Sequence, residues 1–229
     1  MSRYYDFFCP VRLMAGEQAL EQLPDELMAL GARRPLLLTD KGVGGSGLAT
    51  LLANVLAEGG LPVAAIWDEI PADSSTAVVE RIATRWRELG CDSLVALGGG
   101  SVIDTAKAVN ILVTLGGERL LDHAGAGCLT RPLKPLAAVP TTAGTGSEVT
   151  LVAVIRDEGS GRKVPFTSPF LLPQLAVLDP RLTRGLPLPI TAATAMDAMT
   201  HAIEAFIGNG KNPVSDALAL MAVEKIADA

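Results

Sequence analysis

Ser93-Leu94-Val95-Ala96-Leu97-Gly98-Gly99-Gly100-Ser101-Val102-Ile103-Asp104-Thr105-Ala106-Lys107 runs from an unbroken apolar segment through three glycines and a serine into helix-like sequence. A short apolar run that ends in glycine and opens a helix is how a buried parallel strand hands over to its crossover helix. A strand is expected over 93–97 and a helix over about 102–113, with Ser101 as its cap and Asp104 reinforcing the cap from the third position. The glycine N–H groups and the positive end of the helix together form an anion site. From this segment alone, a plain structural turn explains the glycines equally well.

The same rhythm extends outward. Pro35-Leu36-Leu37-Leu38-Thr39-Asp40 reads as a strand, as do residues 61–67 and Leu136-Ala137-Ala138-Val139, the last ending at Pro140. Helices are expected over 48–57 and 75–89. Such alternation predicts an α/β fold whose parallel sheet is covered on both faces. From 141 to 180 the chain is rich in Gly, Thr and Pro, with strand-like pieces at 149–156 and 175–178. Pro187 and Pro189 then punctuate it, and helices are expected over 191–206 and from Pro213 to the last residue. The expected division is an α/β dinucleotide-binding domain over 1–185 and the beginning of a helical domain over 186–229. That second part is apolar to its end and uncapped from Asp216 onward. About 40 residues make a marginal domain, so the chain reads as cut short.

With 229 residues, 49% hydrophobic and 19% charged, a substantial core is expected and disorder is not. Nineteen Lys and Arg against 25 acids give a net charge of −6. No basic stripe with aromatics appears, which argues against nucleic acid as a partner. Cys9, Cys91 and Cys128 are scattered without metal spacing and are expected as free buried thiols in a reducing compartment. No signal-peptide run or membrane-length apolar stretch is seen, so a cytoplasmic protein is expected.

Gly42-Val43-Gly44-Gly45-Ser46-Gly47 formally matches the dinucleotide fingerprint, and Asp68 lies about 20 residues further on, where a ribose-binding acid belongs. Asp40 immediately precedes this loop, however, and a carboxylate there repels a pyrophosphate on the following helix. A glycine-rich strand-to-helix turn is the favoured reading. Pro140-Thr141-Thr142-Ala143-Gly144-Thr145-Gly146-Ser147-Glu148 packs hydroxyls and glycines behind a buried strand, which suits a phosphate or ribose better than a polar surface turn. Asp197 and His201 are four apart on one helix face. They are candidates to bind a divalent metal, to form a plain Asp–His hydrogen bond, or to leave His201 as a satisfied core residue. His123 reads as a surface or turn residue. Two histidines do not complete a closed metal site.

In order along the chain, Thr39-Asp40-Lys41-Gly42, the Gly98 to Lys107 stretch, residues 140–150, Asp197-Ala198-Met199-Thr200-His201-Ala202-Ile203-Glu204 and Asn212-Pro213-Val214-Ser215-Asp216-Ala217 resemble the iron-dependent (group III) alcohol dehydrogenases. The resemblance covers essentially the whole chain. It implies the dehydroquinate synthase-like fold: an α/β nucleotide domain followed by a helical metal-binding domain, with the active site between them. It implies that Asp40 contacts the adenosine ribose and favours NAD over NADP. Gly98, Gly99 and Ser101 correspond to the pyrophosphate loop, Thr141, Thr142 and Thr145 to a second cofactor loop, and Lys163 to a cofactor-contacting lysine. Asp197 and His201 correspond to the first two ligands of Fe²⁺, or of Zn²⁺. The resemblance implies NAD-dependent oxidation of a small alcohol, or reduction of the matching aldehyde, by a homo-oligomer such as a dimer. The metal would act as a Lewis acid, and no residue is assigned as a catalytic base. Two departures are visible. Ala72 stands where the family commonly has asparagine, and the two later histidine ligands are not reached. The alternative expectation is therefore a nucleotide-binding or oligomerisation module of that family without activity. Zinc glycerol dehydrogenases and dehydroquinate synthases share the fold but fit the threonine loop and the Asp197–His201 helix less well.

Overall fold

The computed structural model describes residues 4–125 and 127–228. Residues 1–3, and Ala229, to which the last helix is expected to run, lie outside the described residues. The chain enters the sheet with β1 (Arg12–Ala15) and passes through α1 (Leu23–Ala29) to β2 (Pro35–Leu38). A short helix α2 (Lys41–Gly45) and a longer α3 (Leu48–Glu58) lead to β3 (Ala65–Trp67). Helix α4 (Thr76–Glu88) returns to β4 (Ser93–Gly98), and α5 (Gly100–Leu115) crosses to β5 (Leu136–Pro140). An antiparallel hairpin of β6 (Val152–Arg156) and β7 (Lys163–Thr167) stands apart from the main sheet, and β8 (Leu175–Leu178) returns to it. Helices α6 (Leu188–Ile207) and α7 (Pro213–Ala227) follow and pack on each other.

The six-stranded sheet has the order β1-β8-β5-β4-β2-β3, with every pairing parallel. Strands β2, β4 and β5 are buried along their whole length, which is why they read as continuous apolar runs. Successive side chains enter opposite cores. Leu36, Leu38, Leu94 and Ala96 pack with α4 and α5, while Leu37, Val95, Leu97 and Val139 pack with α1 and α3. Each fully buried leucine contributes about 1.5–3 kcal/mol, so these central strands hold the fold.

Several expectations need correction. The first strand, β1, has no apolar run because it is an exposed edge strand paired only to β8. The strand expected over 61–67 is paired only from Ala65. Pro62 has no N–H to give a ladder, and Leu61 instead packs in the core beneath α3. The turn into α5 also differs. Gly99 is its N-cap with no side-chain cap bond, and Ser101 already lies in the first turn. Asp104 does not reinforce the cap but accepts from the Val154 N–H at 2.9 Å. Helix α7 is capped after all, because the Asn212 side chain accepts from the Val214 N–H at 3.0 Å. All three thiols are free, but only Cys91 is buried; Cys128 is half-buried and Cys9 is exposed.

Candidate nucleotide-binding site

After β2 the chain turns outward to β3, whereas after β4 it turns the other way to β5, so the connections diverge between β2 and β4. In an open α/β sheet this divergence leaves a crevice beyond the carboxyl ends of the strands, where ligands bind. A cavity of about 1160 Å³ lies there. Its walls follow the strand ends in turn: Asp40 after β2, Ala72 after β3, Gly99 to Ser101 after β4, Thr141 to Thr145 after β5, and Arg181 after β8.

The glycine and threonine loops touch. The Thr141 N–H donates to the Gly98 carbonyl at 3.1 Å, extending the β4–β5 pairing beyond the sheet. A Cβ on Gly100 would lie 2.9 Å from Thr145 Cγ2, so only glycine lets the second loop close over the first. Gly144 is tighter against α6: a Cβ there would meet the Thr194 carbonyl oxygen at 2.7 Å. Of the sequence-predicted cofactor residues, Asp40, Gly99, Ser101, Thr141, Thr142 and Thr145 line the one cavity. Gly98 sits behind it. Lys163 does not line it; its Nζ is 2.9 Å from Asp73 Oδ1, and the Asp73 N–H donates to Ser101 Oγ at 3.3 Å. Asp73 holds this link with a left-handed φ of 59°, an unusual state for a residue with a side chain.

The fingerprint-like glycines form α2 instead of an open phosphate loop. The Asp40 carboxylate caps that helix by accepting from the Val43 N–H at 2.9 Å, occupying the position an anion would need. Asp68 is exposed outside the cavity, beside Gly44.

Sequence reasoning missed the far wall, which consists of Arg181, Leu182 and the start of α6. The Arg181 guanidinium is fixed by Asp179 and Glu21, whose hydrogen bonds push its pKa up and theirs down. Asp179 is a close neighbour in sequence, but Glu21 is 160 residues away, so local sequence does not mark this wall.

Thr194, Asp197 and His201 share one stripe of α6, spaced three and four residues apart. His201 Nε2 lies 3.6 Å from Asp197 Oδ1, with side chains 59% and 45% exposed respectively. Among the described residues no group of three or more His, Cys, Asp or Glu is close enough to hold a metal. The donor set present is therefore a pair and does not by itself fit a metal centre. His123 is confined to a short 3₁₀ turn, its Nε2 3.0 Å from the Gly116 carbonyl oxygen.

A doubly covered parallel sheet with a nucleotide-type crevice at its point of divergence, followed by paired helices, defines the class. Residues 10–180 match the family described as iron-containing alcohol dehydrogenase, and residues 191–229 match the C-terminal part of the Fe-containing alcohol dehydrogenase family. The chain belongs to the iron-containing alcohol dehydrogenase family. It is 47% identical over 211 residues to the 4-hydroxybutyrate dehydrogenase of Cupriavidus necator, covering 90% of this chain and 54% of that protein. It is 38% identical over 221 residues to the NAD-dependent methanol dehydrogenase of Bacillus methanolicus, covering 96% and 58% respectively. The crystal structure of 1,3-propanediol oxidoreductase superposes with a TM-score of 0.94 at 38% identity, over 99% of this chain and 59% of that one. The sulfoacetaldehyde reductase from Bifidobacterium kashiwanohense, solved in complex with NAD+, gives 0.89 at 31%, over 98% and 59%. The chain thus spans a little more than half the length of these relatives.

Proposed function

We propose that these 229 residues bind NAD(H) across the crevice beyond β2 and β4, as the nucleotide-binding part of an alcohol/aldehyde oxidoreductase. The carrying observation is the contact of the glycine and threonine loops around one cavity at the point where the chain diverges. On this reading Asp40 takes the adenosine ribose hydroxyls, and its charge disfavours the 2′-phosphate of NADP. Gly98, Gly99 and Ser101 seat the pyrophosphate at the N-terminus of α5, while Thr141, Thr142 and Thr145 hold the remainder. Lys163 supplies a positive charge from the hairpin. A relative named as NAD-dependent and another solved with NAD+ support this choice.

The substrate class we assign is a small alcohol or the matching aldehyde, in keeping with the names of the relatives. We assign the division between the nucleotide domain and the helical part near residue 185, a reading supported by the separate family matches over 10–180 and 191–229. We place the protein in the cytoplasm as a homo-oligomer, without nucleic-acid partners given its acidic charge. No helix among the described residues is long and apolar enough to cross a membrane. Asp197 and His201 are the residues that would take Fe²⁺ or Zn²⁺, which supplies Lewis acidity at a substrate oxygen when bound. Because the described donors stop at two, nucleotide binding without metal-assisted turnover is the favoured reading for these residues.

The test is titration of NADH and NADPH into the protein and its Asp40→Gly variant, followed by nicotinamide fluorescence. Saturable NADH binding is expected, with the variant shifting preference toward NADPH by roughly tenfold, the equivalent of about 1.4 kcal/mol. A folded protein that binds neither nucleotide contradicts the proposal.

A further inference from the structure

On the side of α5, behind the cavity, Lys107 has no solvent exposure at all. Its Nζ donates to the Thr150 carbonyl at 2.8 Å, to Thr150 Oγ1 at 3.1 Å and to the Val152 carbonyl at 2.8 Å. Three acceptors match the three N–H bonds of an ammonium, the arrangement that lets a buried charge be tolerated. The carboxylates that face it are Asp104, one turn earlier on α5, and Glu148 in the turn before β6. Asp104 fastens the next link, accepting from the Val154 N–H.

These bonds join two parts of the crevice that are separate in sequence. Helix α5 begins with the glycine loop. Residues 150–154 continue the threonine loop and open the hairpin that carries Lys163. The clearance between the loops is small where Thr145 covers Gly100, so the fit of the two loops depends on their relative position. An apolar side chain at 107 would fill the same space but leave those oxygens without their donor. Lys107 itself does not line the cavity.

Building on the NAD(H) site proposed above, we infer that Lys107 is a positioning residue for the cofactor, locking the threonine loop and the β6–β7 hairpin in register with the glycine loop. ADP needs only the Asp40 side and the N-terminus of α5, whereas NADH needs both loops. Loss of the lock therefore separates the two ligands.

Calorimetric titration of NADH and ADP into the wild-type protein and Lys107→Met reads this separation. NADH affinity is expected to fall about 10- to 100-fold in the variant while ADP affinity changes by less than about threefold. Equal losses for both ligands would mean that Lys107 merely supports the fold, and an unchanged NADH affinity would mean that it does nothing for the site; either overturns the inference. A wild-type protein that binds neither ligand overturns the nucleotide site and this inference with it. If Lys107→Met does not fold, Thr150→Val removes one acceptor and leaves the ammonium. It should then weaken NADH by about two- to fivefold with ADP unaffected, and no change in NADH overturns the inference.

Discussion

Asp40 acts locally as the cap of α2 and, in the proposed complex, as the ribose acid. Glycine is nearly as good a cap as aspartate, costing a few tenths of a kcal/mol, so the nucleotide preference of Asp40→Gly can be read without interference from unfolding. Gly144→Ala is a harsher change. The new methyl group would meet the Thr194 backbone oxygen at 2.7 Å, and backbone cannot swing aside. We expect about 1–3 kcal/mol of destabilisation in urea melts and at least a roughly tenfold weaker NADH titration. Lys107 gives a pH signature. Burial pushes its pKa down from 10.5 to about 8, against the opposing pull of Asp104 and Glu148. Between these values the unfolded chain keeps a proton that the folded protein has released, so this group's contribution to stability rises with pH. The unfolding free energy of the wild type relative to Lys107→Met should therefore grow across that window. A difference that is flat or shrinks with pH would refute a depressed pKa. The placement of Asp40 and the threonines at strand ends was legible in sequence because they follow apolar runs directly. The need for glycine at 144 was not, because Thr194 lies on a helix 50 residues later.

Among the elements, the central strands and the outer ones differ sharply in what they contribute. Leu37 in β2 is fully buried between helices, whereas Leu13 in the edge strand β1 is half exposed. Leu37→Ala should cost about 2–5 kcal/mol in thermal or urea unfolding, and Leu13→Ala less than about 1 kcal/mol. The same contrast explains which elements could be read. Strands buried on both faces announce themselves as apolar runs. By comparison, β1 and β7 are short and largely exposed, and Pro165 interrupts β7, so neither stands out by composition. The α5 turn was legible as a strand-to-helix handover, but Ser101 and Asp104 look like capping residues until the hairpin is present to claim Asp104. On α6, Asp197 and His201 form an exposed pair with little energetic weight. His201→Ala should change stability by no more than about 0.5 kcal/mol and leave NADH affinity unaltered, as measured by urea unfolding and the same titration.

For the molecule as a whole, the fold class was readable from alternation, but the strand order was not. The parallel neighbour of β1 is β8, and their pairing joins Arg12 to Leu175 across nearly the whole sheet-forming chain. Only that order reveals where the connections diverge, and hence why loops after five different strands meet at one cavity. The helices α6 and α7 retain exposed apolar side chains such as Leu188, Met196, Ile207 and Leu218, so the crevice, not the helical end, is the better-formed part of the structure. Amide hydrogen exchange of the 229-residue chain, with and without saturating NADH, examines that crevice as a unit. Protection should rise together in residues 40–43, 99–102 and 141–145, segments that contribute its lining after separate strands. Global stability should rise by about 2.7 kcal/mol at a hundredfold excess over the Kd. Unchanged exchange in all three segments, or protection confined to α6 and α7, would contradict a dinucleotide site between β2 and β4.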